Sequence, residues 1–230
     1  MNKILLVEDV SHIPVSWPAA YRLRPIALPS APTLSLLGED EQDIMSLIDM
    51  SSPRNRHETG AAPHTFSNYP RMPMAVRSAF AHPSPEWRFT PASMPHISVA
   101  EHISAAVSTA SEQYGQFLAD TYQVACKVSL ALERYVLSGD FYDVRDRKIY
   151  TEFYDKSDSS IAQNFVATLS SNRADGLIYS RDGGDCAVVL NPDCVGAYAK
   201  ERALAMQWDG KGFTRYFDYR DLHWVNIPQQ

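Results

Sequence analysis

Apolar and polar positions change rhythm several times along this chain, and each change marks an element. Val99, Ile103, Ala106, Val107, Ala110, Tyr114, Phe117 and Leu118 form one apolar stripe, which predicts a long amphipathic helix over 99–118. From Val124 to Leu132 apolar residues alternate with less apolar ones, the pattern of a half-buried strand, and Phe141 to Val144 reads as a short further strand. Ile161, Phe165 and Leu169 recur every four residues, predicting a second helix from Asp158 to Ser171 with Ser157 or Asp158 as its cap. Two short apolar runs, Gly176–Tyr179 and Cys186–Leu190, flank a polar Gly-rich turn and predict a hairpin. A short helix near Val195–Met206 and aromatic strand-like runs from Phe213 to Val225 follow.

Proline sets the first third apart. Thirteen of the fifteen prolines lie at or before Pro95, so residues 1–70 read as an arm of short elements joined to a core over 71–230. Within that arm, Glu39 to Met50 carries Ile44, Leu47 and Ile48 at helical spacing and stops at Ser51-Ser52-Pro53. Helices and strands mixed without strict alternation predict an α+β fold with mainly antiparallel pairing.

Composition removes several classes of function. With 230 residues and 45% hydrophobic content the chain can bury a full core in one domain. A net charge of -6 argues against non-specific nucleic-acid binding, which needs a basic surface. No apolar run approaches a membrane span, and Ile4–Val7 is too short for a signal-peptide core. Three cysteines, Cys126, Cys186 and Cys194, have no metal-ligand spacing, and an odd, sparse set fits a reducing, cytoplasmic compartment. Phosphate-loop and His-Glu-x-x-His motifs are absent, and Asp182, Asp185 and Asp193 are too scattered to argue for a metal.

The hairpin carries the densest candidate chemistry. Ser180 and Arg181 sit at a strand end beside Gly183 and Gly184, where backbone can approach a ligand closely. Each has a plainer reading: Ser180 as a turn serine, Arg181 as a solvated arginine, Cys186 as a small core residue. Arg88 lies between Trp87 and Phe89, so a surface cation–π contact is as good a reading as a phosphate clamp. His82, His96 and His102 read as structural or exposed histidines, and Asp143, Arg145, Asp146 and Arg147 as a mixture of surface charges.

Several blocks, in order, resemble the RES-domain family, NAD-degrading toxins of bacterial toxin–antitoxin modules. Tyr21-Arg22-Leu23-Arg24-Pro25 and Ser51-Ser52-Pro53-Arg54 are similar to the family's opening segment. Ala79-Phe80-Ala81-His82 with Arg88-Phe89 resembles its "Ala-Phe-x-His … Arg-Phe" block and first signature arginine. The stretch 99–118 matches the segment that carries its tyrosine and glutamate. Ala174 to Pro192 resembles the block holding its signature serine, here Ser180, although this turn is one residue shorter. Aligned without gaps between Arg88-Phe89 and Phe117-Leu118, the family's tyrosine falls at Ser98 and its glutamate at Thr109; Glu112 stands one helical turn further on.

The resemblance implies an ADP-ribosyltransferase-like core, NAD+ as substrate rather than cofactor, and a cognate antitoxin as partner; a homodimer stays open. It implies catalytic roles for Arg88, Ser180 and Thr109 or Glu112, and substrate binding by Arg88, Ser98, Ser180 and Arg181. Cleaving the nicotinamide–ribose bond develops positive charge on the ribose, which a carboxylate stabilises, while an arginine clamps the pyrophosphate. Glycohydrolase, phosphorylase and ADP-ribosyl transfer share this chemistry and differ in the acceptor. A non-catalytic RES-like domain that binds NAD or a protein partner is the other class, because Ser98 and Thr109 lack the expected side chains.

Overall fold

The computed structural model describes residues 7–26, 76, 79–80, 86–92, 94–155 and 157–228. Among these, the chain order is β1 (His12–Pro25), β2 (Ile97–Ala100), α1 (Ile103–Asp120), β3 (Cys126–Asp143), α2 (Ser160–Ser171), β4 (Gly176–Arg181), β5 (Gly184–Val189), β6 (Val195–Trp208), β7 (Phe213–Asp218) and β8 (His223–Asn226). The eight strands form one mixed sheet ordered β1-β2-β5-β4-β3-β6-β7-β8, and β1 also pairs with β3. The first five strands therefore close a ring, from which β6, β7 and β8 extend. The class is α+β.

Strand β3 is the hinge of this topology. Its first part, from Cys126 to Leu137, pairs antiparallel with β6. Its last residues, Tyr142 and Asp143, pair parallel with Leu177 and Ile178 of β4. A parallel neighbour needs a crossover, and α2 supplies it. Beyond Asp143 the two strands part, and the room between them becomes part of the site. Strand β4 is buried on both faces, which is why Leu177, Ile178 and Tyr179 read as an unbroken apolar run. Leu177 and Tyr179 pack with Phe89, Ala105 and Phe165, whereas Ile178 packs with Ile97, Phe141 and Ala187.

The hairpin and the second helix lie where the pattern puts them. Asp158 Oδ1 accepts the Ser160 N–H at 2.8 Å at the start of α2, and Phe165, Val166 and Leu169 are buried. Three expectations are corrected. The first helix starts at Ile103, not Val99; Ile97–Ala100 is a strand paired with β5 through Ile97–Val189 and Ala100–Cys186. Of the segment Phe141–Val144, Phe141 to Asp143 is the end of β3, not a separate strand, and Val144 lies just beyond it. The helix expected over Val195–Met206 is strand β6. Its alanines favour a helix in isolation, but pairing along β3 and burial of Leu204, Met206 and Trp208 outweigh that preference.

The proline-rich beginning is also less arm-like than composition implies. Residues 12–25 form β1, paired with β3 from His12–Tyr142 to Pro25–Leu130. Pro18 falls where the register shifts between Trp17 and Ala20, a position that tolerates its missing N–H. The helix of Glu39–Met50, the Ser51–Arg54 stop and His82 lie outside the described residues. Among the described residues, no helix is long and apolar enough to cross a membrane.

Candidate functional site

Arg88 reaches the site from the tip of a tight turn. Trp87 and Thr90 exchange backbone hydrogen bonds of 2.9 and 3.0 Å, leaving Arg88 and Phe89 as the two central residues. Phe89 is wholly buried against Tyr179, with ring centroids 4.3 Å apart. The turn is held from α2, where Gln163 Nε2 donates to the Trp87 carbonyl at 3.0 Å. Behind it, His96 is buried; its Nδ1 donates to the Met94 carbonyl at 2.9 Å, and Nε2 faces Thr90 Oγ1 at 3.4 Å. Because that carbonyl can only accept, the ring is the neutral Nδ1–H tautomer, and burial lowers its pKa to about 4.

Glu112 of α1 stands between two guanidinium groups. Arg88 Nη2 donates to Glu112 Oε1 at 2.9 Å, and Arg181 Nη2 lies 2.5 Å from Oε2. One further nitrogen of each is engaged: Arg88 Nη1 donates to the Tyr154 carbonyl at 2.9 Å, and Arg181 Nε donates to Ser108 Oγ at 3.2 Å. Ser108 and Glu112 are one helical turn apart on the row of α1 that faces β4. The Arg181 side chain is only 8% exposed and Arg88 13%. Burial alone would raise the Glu112 pKa, but Arg181 and Arg88 outweigh it and hold the carboxyl below its usual value.

These residues line a cavity of about 260 Å³ together with Tyr154, Tyr179 and Ser180. Arg88, Glu112, Ser180 and Arg181, separated by as much as the stretch from the Trp87 turn to the β4 end, thus share one cavity. Arg181 is not solvated; it stacks near the Trp87 ring, 6.0 Å from its centroid, while Arg88 pairs with Glu112 instead of that ring. Burial pushes Tyr179 well above the usual phenol range, so it acts as a neutral wall.

Two other candidates stand apart from that cavity. Thr109 Oγ1 meets Cys186 Sγ at 3.6 Å, and Cys186 is a buried core thiol whose pKa burial raises. Ser98 sits in β2 opposite Val188, with its hydroxyl buried and without a hydrogen-bond partner among the described residues. Gly183 and Gly184 also serve a different end. A Cβ on Gly183 would lie 2.9 Å from backbone of Ser104 and Ala105, and one on Gly184 would lie 2.8 Å from His102. The close approach the structure shows is to the start of α1, where Ser104 Oγ donates to the Gly183 carbonyl at 2.8 Å. His102 is exposed.

A second, larger cavity of about 500 Å³ lies on the other side of Ser180, where β3 and β4 part. Here Arg145 is gripped by two carboxylates. Its Nε and Nη2 donate to Asp143 at 2.8 and 2.7 Å, and its Nη1 donates to Asp185 Oδ2 at 2.8 Å. Asp185 Oδ1 accepts from Ser180 Oγ at 2.9 Å. The Ser180 N–H donates to the Tyr154 phenol at 2.9 Å, and its carbonyl accepts from Arg147 Nη2 at 3.0 Å.

No protein-family model matches the chain, and no curated protein matches it. Among solved structures, it is similar to the MbcT–MbcA toxin–antitoxin complex of M. tuberculosis, with 12% identity and a TM-score of 0.45 over 86% of this chain and 87% of that one.

Sequence reasoning missed Tyr154, Arg145 and Asp185. Tyr154 is the last residue of a short helical turn, Thr151–Tyr154, and left no periodic trace. The other two were legible in principle. Asp143 and Arg145 are two residues apart at a strand end, and Ser180 and Asp185 fall opposite one another once the hairpin register is set by Arg181–Gly184.

Proposed function

We propose that this chain is a RES-type toxin that cleaves the nicotinamide–ribose bond of NAD+ in the cytoplasm and is neutralised by a cognate antitoxin. The observation that carries this reading is the meeting of Arg88, Glu112, Arg181 and Ser180 in one aromatic-walled cavity. Two guanidinium groups in planar, hydrogen-bonding reach of one point form a ready clamp for a pyrophosphate. An arriving pyrophosphate competes with Glu112 for those groups. The displaced carboxylate is then free to face the ribose, where positive charge develops as the C1′–N bond breaks. Nicotinamide leaves with the bonding electrons, water or phosphate forms the new bond to C1′, and the nucleophile's proton passes to solvent. Glu112, whose carboxyl Arg181 and Arg88 hold below its usual pKa before the ligand arrives, enters the reaction as a carboxylate and serves as an electrostatic stabiliser.

The test is consumption of NAD+ with release of nicotinamide, measured with and without added phosphate. We expect turnover, and a drop of ~100-fold or more in Arg88→Ala, the usual cost of losing one oriented polar group. Phosphate dependence separates phosphorolysis from hydrolysis. A second reading, binding without turnover, is favoured by one feature: neither Ser98 nor Thr109 lines the cavity, so a carboxylate from elsewhere, Glu112, has to stand in for the expected one. NAD+ or ADP-ribose binding in calorimetry without nicotinamide release would select it. Absence of both binding and release would remove both readings.

A further inference from the structure

We propose that Arg147 is a specificity-determining residue at the open end of the Arg88–Glu112–Arg181 cavity, where its guanidinium takes a further phosphate carried by the ligand. The ligand class this selects is an adenine dinucleotide phosphorylated on its adenosine ribose, of which NADP+ is the simplest. The inference rests on the dinucleotide reading given above and adds to it a choice between two forms of the substrate.

The guanidinium of Arg147 belongs to this cavity by its contacts. Its central carbon lies over the Tyr154 ring, 5.0 Å from the centroid. Its Nη2 donates to the Ser180 carbonyl at 3.0 Å and stands 3.9 Å from Asp182 Oδ1. Tyr154, Ser180 and Asp182 all line the cavity together with Arg147, which lies outside the lining of the larger one. The support beneath the guanidinium is firm. The Tyr154 phenol donates to the Val144 carbonyl at 2.8 Å and accepts the Ser180 N–H at 2.9 Å, so the ring has a fixed place.

Exposure orders the charged groups from the closed end of the cavity to the open one. Arg181 and Arg88 are deepest, Glu112 is intermediate, and Arg147 and Asp182 are 50% and 59% exposed. Pairing separates Arg147 from the other arginines as well. Arg88 and Arg181 each hold Glu112, and Arg145 holds two carboxylates, whereas the Asp182 carboxylate stands beyond hydrogen-bond length from Arg147. Among the described residues, the Nε and Nη1 of Arg147 make no hydrogen bond. A planar guanidinium held in place with donors to spare suits two-pronged contact with a phosphate.

Size sends one half of a dinucleotide past this residue. The cavity, at about 260 Å³, is smaller than the ~300–1,000 Å³ of sites that enclose a drug-sized ligand, and a dinucleotide is larger still. With the pyrophosphate on the deep arginines and the nicotinamide ribose at Glu112, the adenosine half extends through the open end. A phosphate on its ribose then meets Arg147, where the hydroxyl of NAD+ brings no charge. A charge-assisted contact at this degree of exposure gives a preference of about fivefold.

The experiment measures calorimetric binding of NAD+, NADP+ and ADP-ribose to the full chain at one fixed, low ionic strength. The wild type should prefer NADP+ over NAD+ by about fivefold or more. Arg147→Ala should bring the ratio close to one, and Asp182→Ala, which removes the competing carboxylate, should raise it. Lys148→Ala removes an exposed cation next in sequence but outside the cavity lining, and should leave the ratio as in the wild type. A structural role for Arg147 would weaken both dinucleotides alike in Arg147→Ala and keep the ratio, which overturns the proposal. So does an equal fall of the ratio in Lys148→Ala, the mark of a general surface field. A wild type that binds NAD+ or ADP-ribose without preferring NADP+ overturns it too, and in that case the cavity reading survives. If no ligand binds the wild type, the cavity reading fails and this inference falls with it. Thermal melting checks that each variant is folded; if Arg147→Ala is not, Arg147→Gln decides by the same ratio.

Discussion

The two ion clusters on either side of Ser180 are mirror images in charge. In the Arg88–Glu112–Arg181 cluster two cations share one anion, leaving one positive charge in surplus. In the Asp143–Arg145–Asp185 cluster two anions share one cation, leaving one negative charge. Their surroundings differ too: Arg181 is 8% exposed, whereas Arg145 is 37% exposed. A surplus cation in a half-closed, aromatic-walled cavity is the charge balance that the proposed clamp for an anionic ligand requires. A guanidinium saturated by carboxylates is a brace. Residue types alone do not separate the two cases; stoichiometry and burial do.

The sharpest way to set the clusters apart is acid. His96 supports the turn that aims Arg88, and it is the one buried histidine among the described residues. Its pKa is lowered by burial from 6.5 to about 4. The unfolded chain therefore binds this proton at a higher pH than the folded one, so stability is full above pH 6.5 and declines as pH falls toward 4. The decline amounts to about 3 kcal/mol across that window. Chemical denaturation at a series of pH values should show this slope in the wild type and not in His96→Gln. An equal slope in the variant would mean that another group is responsible.

Next in size is removal of the shared anion. Glu112→Ala strands two largely buried guanidinium groups, and we expect a loss of about 2 kcal/mol in urea denaturation, below the full cost of breaking a buried pair because Glu112 is 26% exposed. The smallest effect belongs to the brace. Arg145→Ala should cost about 1 kcal/mol or less in the same assay, as expected for exposed ion pairs. If the two substitutions cost the same, the contrast between site and brace does not hold.

Much of this arrangement was legible along the chain, and what was not has particular causes. The hairpin and α2 could be read because burial on both faces of β4 and a four-residue stripe are strong, local signals. The true start of α1 was hidden because Val99 continues the helical stripe in register while belonging to β2. Strand β6 was hidden because its alanines speak for a helix and only its partner β3 speaks for a strand. At the site, Arg88, Glu112, Ser180 and Arg181 could be named from the sequence, but their pairing could not. That Arg181 is buried, and that Glu112 rather than Thr109 faces it, depends on the rotation of α1 against β4, which no local pattern records.

The ring of strands also sets when the cavity can exist during synthesis. Strand β1 waits for β3, whose residues from Leu130 to Tyr142 are more than a hundred positions downstream, and β3 waits in turn for β4. Arg181 completes the cluster only after that closure. A ribosome-bound chain that has reached α2 holds Arg88 and Glu112 but lacks Ser180, Arg181 and Asp185. Such a fragment holds only part of the Arg88–Glu112–Arg181 cluster, so the cavity forms only after β4 has been made.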